Sequence, residues 1–154
     1  GKTDEIVDPM TEAFLLYASR KHLDHNFLRT HLKGSSIVIA DRYSDATIAY
    51  QCYGKGLSKE FVQYIHDKSE LLSPDLTFYM DITAQGSKGR IDNRELDRME
   101  SESINFFNKV RSGYLELAKL NSDRFVVLDA ELSVEDLQEK IFNEVRDRLD
   151  VSLG

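Results

Sequence analysis

The stretch "SIVIADRYSDATIAYQ" (36–51) joins a continuous apolar run, Ile37 to Ala40, to a charged pair, Asp41-Arg42, and then to hydroxyl, amide and phenol groups. A short, unbroken run of β-branched residues reads as a strand buried on both faces, the pattern of a parallel sheet. Residues 36–41 are expected to form that strand. A buried strand gains nothing by ending on charges. In open parallel sheets ligands sit beyond the carboxyl ends of the strands, so a phosphate or metal site there would account for the pair. Arg42 offers a planar fork matched to phosphate, and Asp41 could orient a magnesium-bound water or a sugar hydroxyl. Alone, an Asp-Arg pair is more simply a surface ion pair of little energetic weight. It is followed, however, by Thr47, Tyr50 and Gln51 at i, i+3 and i+4, which a helix would bring to one face.

The chain on either side alternates between helical and strand patterns. Asp8 can cap a helix whose first position is Pro9, and Met10, Phe14, Tyr17 and Ala18 continue at helical spacing towards Leu32. Lys33-Gly34-Ser35 ends it. A second helix is expected over 44–53, broken by "YGKGL" (53–57), and a third over 58–71 with Phe61, Ile65 and Leu72 inward and Pro74 as its stop. "LTFYMDI" (76–82) and "RFVVLDA" (124–130) read as further strands, with a long helix over 97–120 between them. Ser133 and Asp136 form a weak capping box before a terminal helix. Strands alternating with helices predict an α/β fold, a parallel sheet flanked by helices on both faces, within one domain spanning 1–154.

Composition sets the outer limits. The 154 residues are 41% hydrophobic and 31% charged, which suits a folded globular chain. No apolar run approaches the roughly 18 residues of a membrane span, and no signal peptide opens the sequence. One cysteine, Cys52, makes a reducing, cytoplasmic setting the default. A net charge of −7 argues against general nucleic-acid binding, so a polyanionic ligand would depend on a few local basic residues. His22 and His25 lack a neighbouring acid or cysteine to complete a zinc set.

The motif at 41–51, an Asp-Arg-aromatic pair followed by Thr-x-x-Ala-Tyr-Gln, resembles the signature of thymidylate kinases. The likeness extends to "DPMTEAFLLYASR" (8–20), "YGKGL" (53–57), "ELDRMESESINFFNKVRSGYLELA" (95–118) and "RFVVLDAELSVEDL" (124–137), so it covers nearly the whole chain. It implies a P-loop NTPase-like three-layer sandwich and transfer of the ATP γ-phosphoryl to dTMP, with Mg2+ as cofactor. By the same resemblance Arg20 would reach the thymine carbonyl, Arg42 would bind the acceptor monophosphate, and Asp41 would sit near the metal and phosphates. Thr47 would face the base. Tyr50 would fill the space of a ribose 2′-hydroxyl, with Gln51 supporting that wall. Members of the family usually stack a phenylalanine on thymine four residues before the arginine. Leu16 stands there instead, which covers a base face without the stacking term of about 0.5–1.5 kcal/mol.

Lys88, Arg90, Arg94 and Arg98 crowd the segment that resembles the family's lid, about 84–98. A basic lid implies that an arginine closes over the donor phosphates, with Arg94 the first choice and Arg90 the second. Asp97-Arg98 would anchor the lid's return to the helix. The family's phosphate loop, Gly-x-x-x-x-Gly-Lys-Ser/Thr after a strand, does not occur in the sequence. Gly1-Lys2-Thr3 imitates only its last residues, and 1–7 reads as a loop. The 154 residues alone are therefore expected not to turn over ATP. A truncated relative that binds a deoxynucleotide or only self-associates is the alternative, and another nucleoside monophosphate kinase is a third reading, disfavoured by Arg20 and Tyr50. The family implies a homodimer through apolar helices, and residues 9–18 carry a suitable stripe.

Overall fold

The computed structural model describes residues 7–33, 36–83 and 104–149. They fall into two compact units that divide between Ser73 and Pro74.

The first unit opens with helix α1, Pro9–Leu23. Asp8 caps it as expected: its carboxylate accepts the Met10 and Thr11 amides at 2.8 and 3.2 Å, satisfying two of the donors a helix start leaves orphaned. The helical path continues through a π-helical segment, Asp24–Leu28, into α2, Arg29–Leu32. After the loop come α3, Ser44–Thr47, and a second π-helical run, Ile48–Gly54. Gly56 closes that run in the left-handed region, φ 79°, where the Leu57 amide reaches back to the Gln51 carbonyl at 2.9 Å. This glycine-dependent helix stop is what "YGKGL" predicts. Helix α4, Lys59–Ser69, follows, capped by the Ser58 hydroxyl on the Phe61 amide.

Tyr17, Cys52, Val62 and Leu71 form the core of this unit, ringed by Ile48, Tyr53, Leu57, Phe61 and Ile65. Leu71, rather than the expected Leu72, is the buried residue after α4. Helix α1 turns Tyr17 into this core and leaves Met10, Phe14 and Leu15 exposed.

The expected strand at 36–41 does not form. Residues 36–40 take no regular structure, and Ile39 is 93% exposed. An apolar run records that a segment is fit to be buried, but a strand exists only if a neighbour closes its ladder. Among the described residues the single ladder lies in the second unit.

There β1, Thr77–Asp81, pairs in parallel with β2, Phe125–Asp129, in register Thr77↔Phe125 through Asp81↔Asp129. Parallel pairing requires a crossover, and helix α5, Ile104–Leu120, lies within it and packs on both strands. Tyr114 of α5 stacks on Tyr79 with ring centroids 4.6 Å apart. Arg111 of α5 grips Asp81 with two parallel bonds of 2.7 Å. Helix α6, Val134–Leu149, begins at the expected capping box, where Ser133 Oγ takes the Asp136 amide and donates to its carboxylate.

Candidate functional site

The first unit brings most of the sequence-derived site residues together along one helix contact. On α1, Glu12, Leu16 and Arg20 recur every four residues, and on the facing helical run Thr47, Gln51 and Lys55 do the same. The two rows meet antiparallel. Arg20 donates to the Thr47 hydroxyl at one end, while Lys55 Nζ reaches Glu12 Oε2 at 2.8 Å at the other. Between them Gln51 Nε2 donates to the same Glu12 oxygen at 3.3 Å. Leu16 is the half-buried residue between Glu12 and Arg20.

This contact is polar where a helix pair would ordinarily be apolar. Arg20, Thr47 and Gln51 are all buried. The rings of Tyr17 and Tyr43 both lie near Arg20, their centroids 5.8 and 6.0 Å from its guanidinium carbon. Burial pushes the Tyr17 phenol up to about 12, against the opposing pull of the Arg20 charge. Burial raises Tyr43 as well, helped by the Asp24 carboxylate and opposed by Arg20 and Arg29. Three buried polar atoms have no hydrogen-bond partner among the described residues: Tyr17 Oη, Tyr43 Oη and Gln51 Oε1. Leaving such an atom unsatisfied costs about 1–3 kcal/mol, so unpaired groups beside a buried guanidinium mark a place where a polar ligand would be accommodated.

Arg42 and Tyr50 form the outer part of the site. Arg42 takes the left-handed conformation, φ 58°, which costs an ordinary residue about 1–2 kcal/mol. Strain of this kind persists where the surroundings over-determine it, commonly at ligand-binding corners. The guanidinium carbon sits 5.0 Å from the Tyr50 ring centroid, and Nη2 lies 3.3 Å from the phenol oxygen. Thr47 and Gln51 thus face α1, while Tyr50 faces Arg42. The described contact of Gln51 is to Glu12, not to the Tyr50 wall.

The scaffold behind the site carries an ion pair between a buried acid and an exposed arginine. Asp24 is 0% exposed, pairs with Arg29 Nε at 2.6 Å and accepts the Leu72 amide at 3.2 Å. Arg29 and Lys21 each donate at 2.6 Å to carbonyls at the end of α4, those of Glu70 and Ser69, where the helix stops on the left-handed Glu70. Cation donors suit that carbonyl end.

Asp41 is exposed beside Arg42. Among the described residues no group of three or more His, Cys, Asp or Glu could hold a metal alone. A magnesium ion shared with phosphates needs only one or two carboxylates, so Asp41 fits that use but not an all-protein cage. Arg90 and Arg94, with the rest of the expected lid, lie outside the described residues. Glu12, Lys55 and Asp24 are the partners that motif reading missed. Glu12 stands two helical repeats before Arg20 and Lys55 two after Thr47, but that spacing does not by itself reveal that the two rows meet.

A parallel α/β chain with a strained Asp-Arg-Tyr corner and a buried polar helix contact has the features of an enzyme for phosphorylated ligands. The family can be stated more closely. A family model described as thymidylate kinase matches residues 2–141. The chain is 38% identical over 152 residues to a thymidylate kinase of Dehalococcoides mccartyi, covering 98% of this chain and 71% of that protein. It is 39% identical over 139 residues to one of Kosmotoga olearia, covering 88% of this chain and 66% of that protein. Its fold matches the crystal structure of a thymidylate kinase from Ehrlichia chaffeensis with a TM-score of 0.71 at 26% identity, covering 94% of this chain and 68% of the other. The chain belongs to the thymidylate kinase family, and the α/β fold expected from its sequence is borne out.

Proposed function

We propose that the chain takes part in phosphorylation of dTMP to dTDP with ATP as the donor, and that its first unit carries the dTMP site. The observation that supports this reading best is the antiparallel contact in which buried Arg20 meets buried Thr47. A buried guanidinium with neighbouring unpaired polar atoms suits a base carrying carbonyl and N–H groups. Arg42 supplies the fork for the monophosphate. Tyr50, held against Arg42, fills the space where a 2′-hydroxyl would lie, and Leu16 covers one face of the base. Thr47 faces the base, with Gln51 beside it.

Asp41 would hold a magnesium-bound water, the metal neutralising charge on the phosphates. Arg94, or Arg90 in the neighbouring register, would stabilise the transferred phosphoryl group. In such transfers the protein's contribution is positioning and electrostatics rather than covalent chemistry. The exposed Met10, Phe14 and Leu15 on α1 support a homodimer. No described helix is long and apolar enough to cross a membrane, and with the acidic net charge this is consistent with a cytoplasmic enzyme acting on small molecules. We further propose that residues 1–154 form one thymidylate kinase-like domain.

Ligand-induced stabilisation tests the dTMP site. At about 100 times its Kd a ligand adds about 2.7 kcal/mol, a rise in Tm of roughly 5–10 °C for a chain of this size. dTMP should give that rise in the wild-type chain and much less in Arg42→Ala. An unchanged Tm with saturating dTMP would contradict the reading.

A further inference from the structure

We infer that Glu12 is a specificity-positioning residue: it fixes which end of the Gln51 carboxamide is presented to the base. The inference rests on the dTMP reading above. Gln51 is 1% exposed, so its amide cannot reorient freely in water. Its nitrogen donates to Glu12 Oε2, and its oxygen has no partner among the described residues. A carboxylate only accepts hydrogen bonds, so it holds the amide nitrogen and repels the amide oxygen. Glu12 therefore selects one of two nearly isosteric orientations. Lys55 Nζ, on the same Glu12 oxygen at 2.8 Å, holds that oxygen in position for the selection.

The consequence is chemical. With the nitrogen held, the free group of Gln51 is an acceptor, while Arg20 is a donor. One acceptor and one donor offered to the same base would match the N–H and carbonyl of thymine. They mismatch cytosine, which presents an amino group beside a bare ring nitrogen. A site built to pair with such groups rejects the mismatched analogue because its own buried atoms are left unpaired. Were the amide free to turn, that preference would weaken even with Gln51 and Arg20 both in place. Glu12 touches no part of the ligand in this account and acts through Gln51 alone.

The test is calorimetric titration of wild type, Glu12→Met and Glu12→Gln with dTMP and with dCMP, each chain first shown to unfold cooperatively. Met removes the acceptor. Gln keeps one but can itself turn, so it should restore part of the effect. The preference for dTMP over dCMP should fall about tenfold in Glu12→Met, the worth of about one hydrogen bond. It should fall by less in Glu12→Gln. In both variants the loss should come from weaker dTMP binding. Should Glu12→Met not fold, the isosteric Glu12→Gln still decides. An equal loss for both nucleotides, or an unchanged preference, would overturn the positioning role alone. A wild-type chain with no preference for dTMP would overturn the dTMP reading together with it.

Discussion

Arg42 lies over the face of Tyr50, its guanidinium carbon 5.0 Å from the ring centroid and its Nη2 3.3 Å from the phenol oxygen. The cation is held by stacking, by a long hydrogen bond and by a left-handed backbone. These constraints set the direction of its fork before any phosphate arrives, which lowers the ordering cost of binding.

Removing the fork should weaken dTMP binding by about 10–100-fold in Arg42→Ala, because hydrogen bonds to charged groups are worth about 1.5–3 kcal/mol. Arg42→Lys should recover only part of this, since an ammonium cannot make the bidentate contact. Titration of the three proteins with dTMP and with thymidine separates the phosphate contribution. Thymidine affinity should be nearly unchanged across the series.

The Asp24–Arg29 pair should respond unequally to its two truncations. Asp24 is 0% exposed, whereas the Arg29 side chain is 43% exposed. Arg29→Met strands a buried carboxylate and should cost about 3–5 kcal/mol of unfolding free energy. Asp24→Asn leaves an arginine that water can reach and keeps an acceptor for the Leu72 amide. Its cost should be about 1–2 kcal/mol. Urea unfolding of both variants checks the order, and equal costs would contradict it.

Asp81 gives a pH prediction. Its hydrogen bonds from Arg111, and then the charge of that guanidinium, hold the carboxyl below the ordinary carboxylate range. The unfolded chain then binds more protons between the folded value and about 4. This contribution is fully present above about pH 4 and is lost as the pH falls through the folded pKa. Asp81→Asn should flatten that part of the acid limb in a Tm-against-pH series while leaving the neutral region parallel to wild type.

Cys52 should be inert in the folded chain. It is buried, and burial lifts its thiol to about 11, so little thiolate exists at neutral pH. A thiol reagent at pH 8 should label it only after denaturant is added. Rapid labelling under native conditions would contradict the packing of Cys52 against Tyr17 and Val62.

Much of the fold was legible because its signals are local. Asp8-Pro9, Gly56 and Ser133 each act within a few residues, and each cap or stop forms where the sequence puts it. The segment 36–41 was misread because its apolar pattern describes an environment, while strand formation depends on a neighbour elsewhere in the chain. Arg20, Thr47 and Arg42 could be picked out by type and spacing. Glu12 and Lys55 could not, because their role comes from two helices meeting antiparallel, and no single stretch of sequence carries that register.

The most direct test of the account is titration of the chain with dTMP, its 2′-hydroxyl analogue and dCMP under one set of conditions. Tyr50 beside Arg42 and the buried Arg20–Thr47 contact predict the tightest binding for dTMP. The other two nucleotides should bind on the order of 10²-fold more weakly. Equal affinities for all three, in a chain shown to be folded, would contradict a deoxythymidylate site in the first unit.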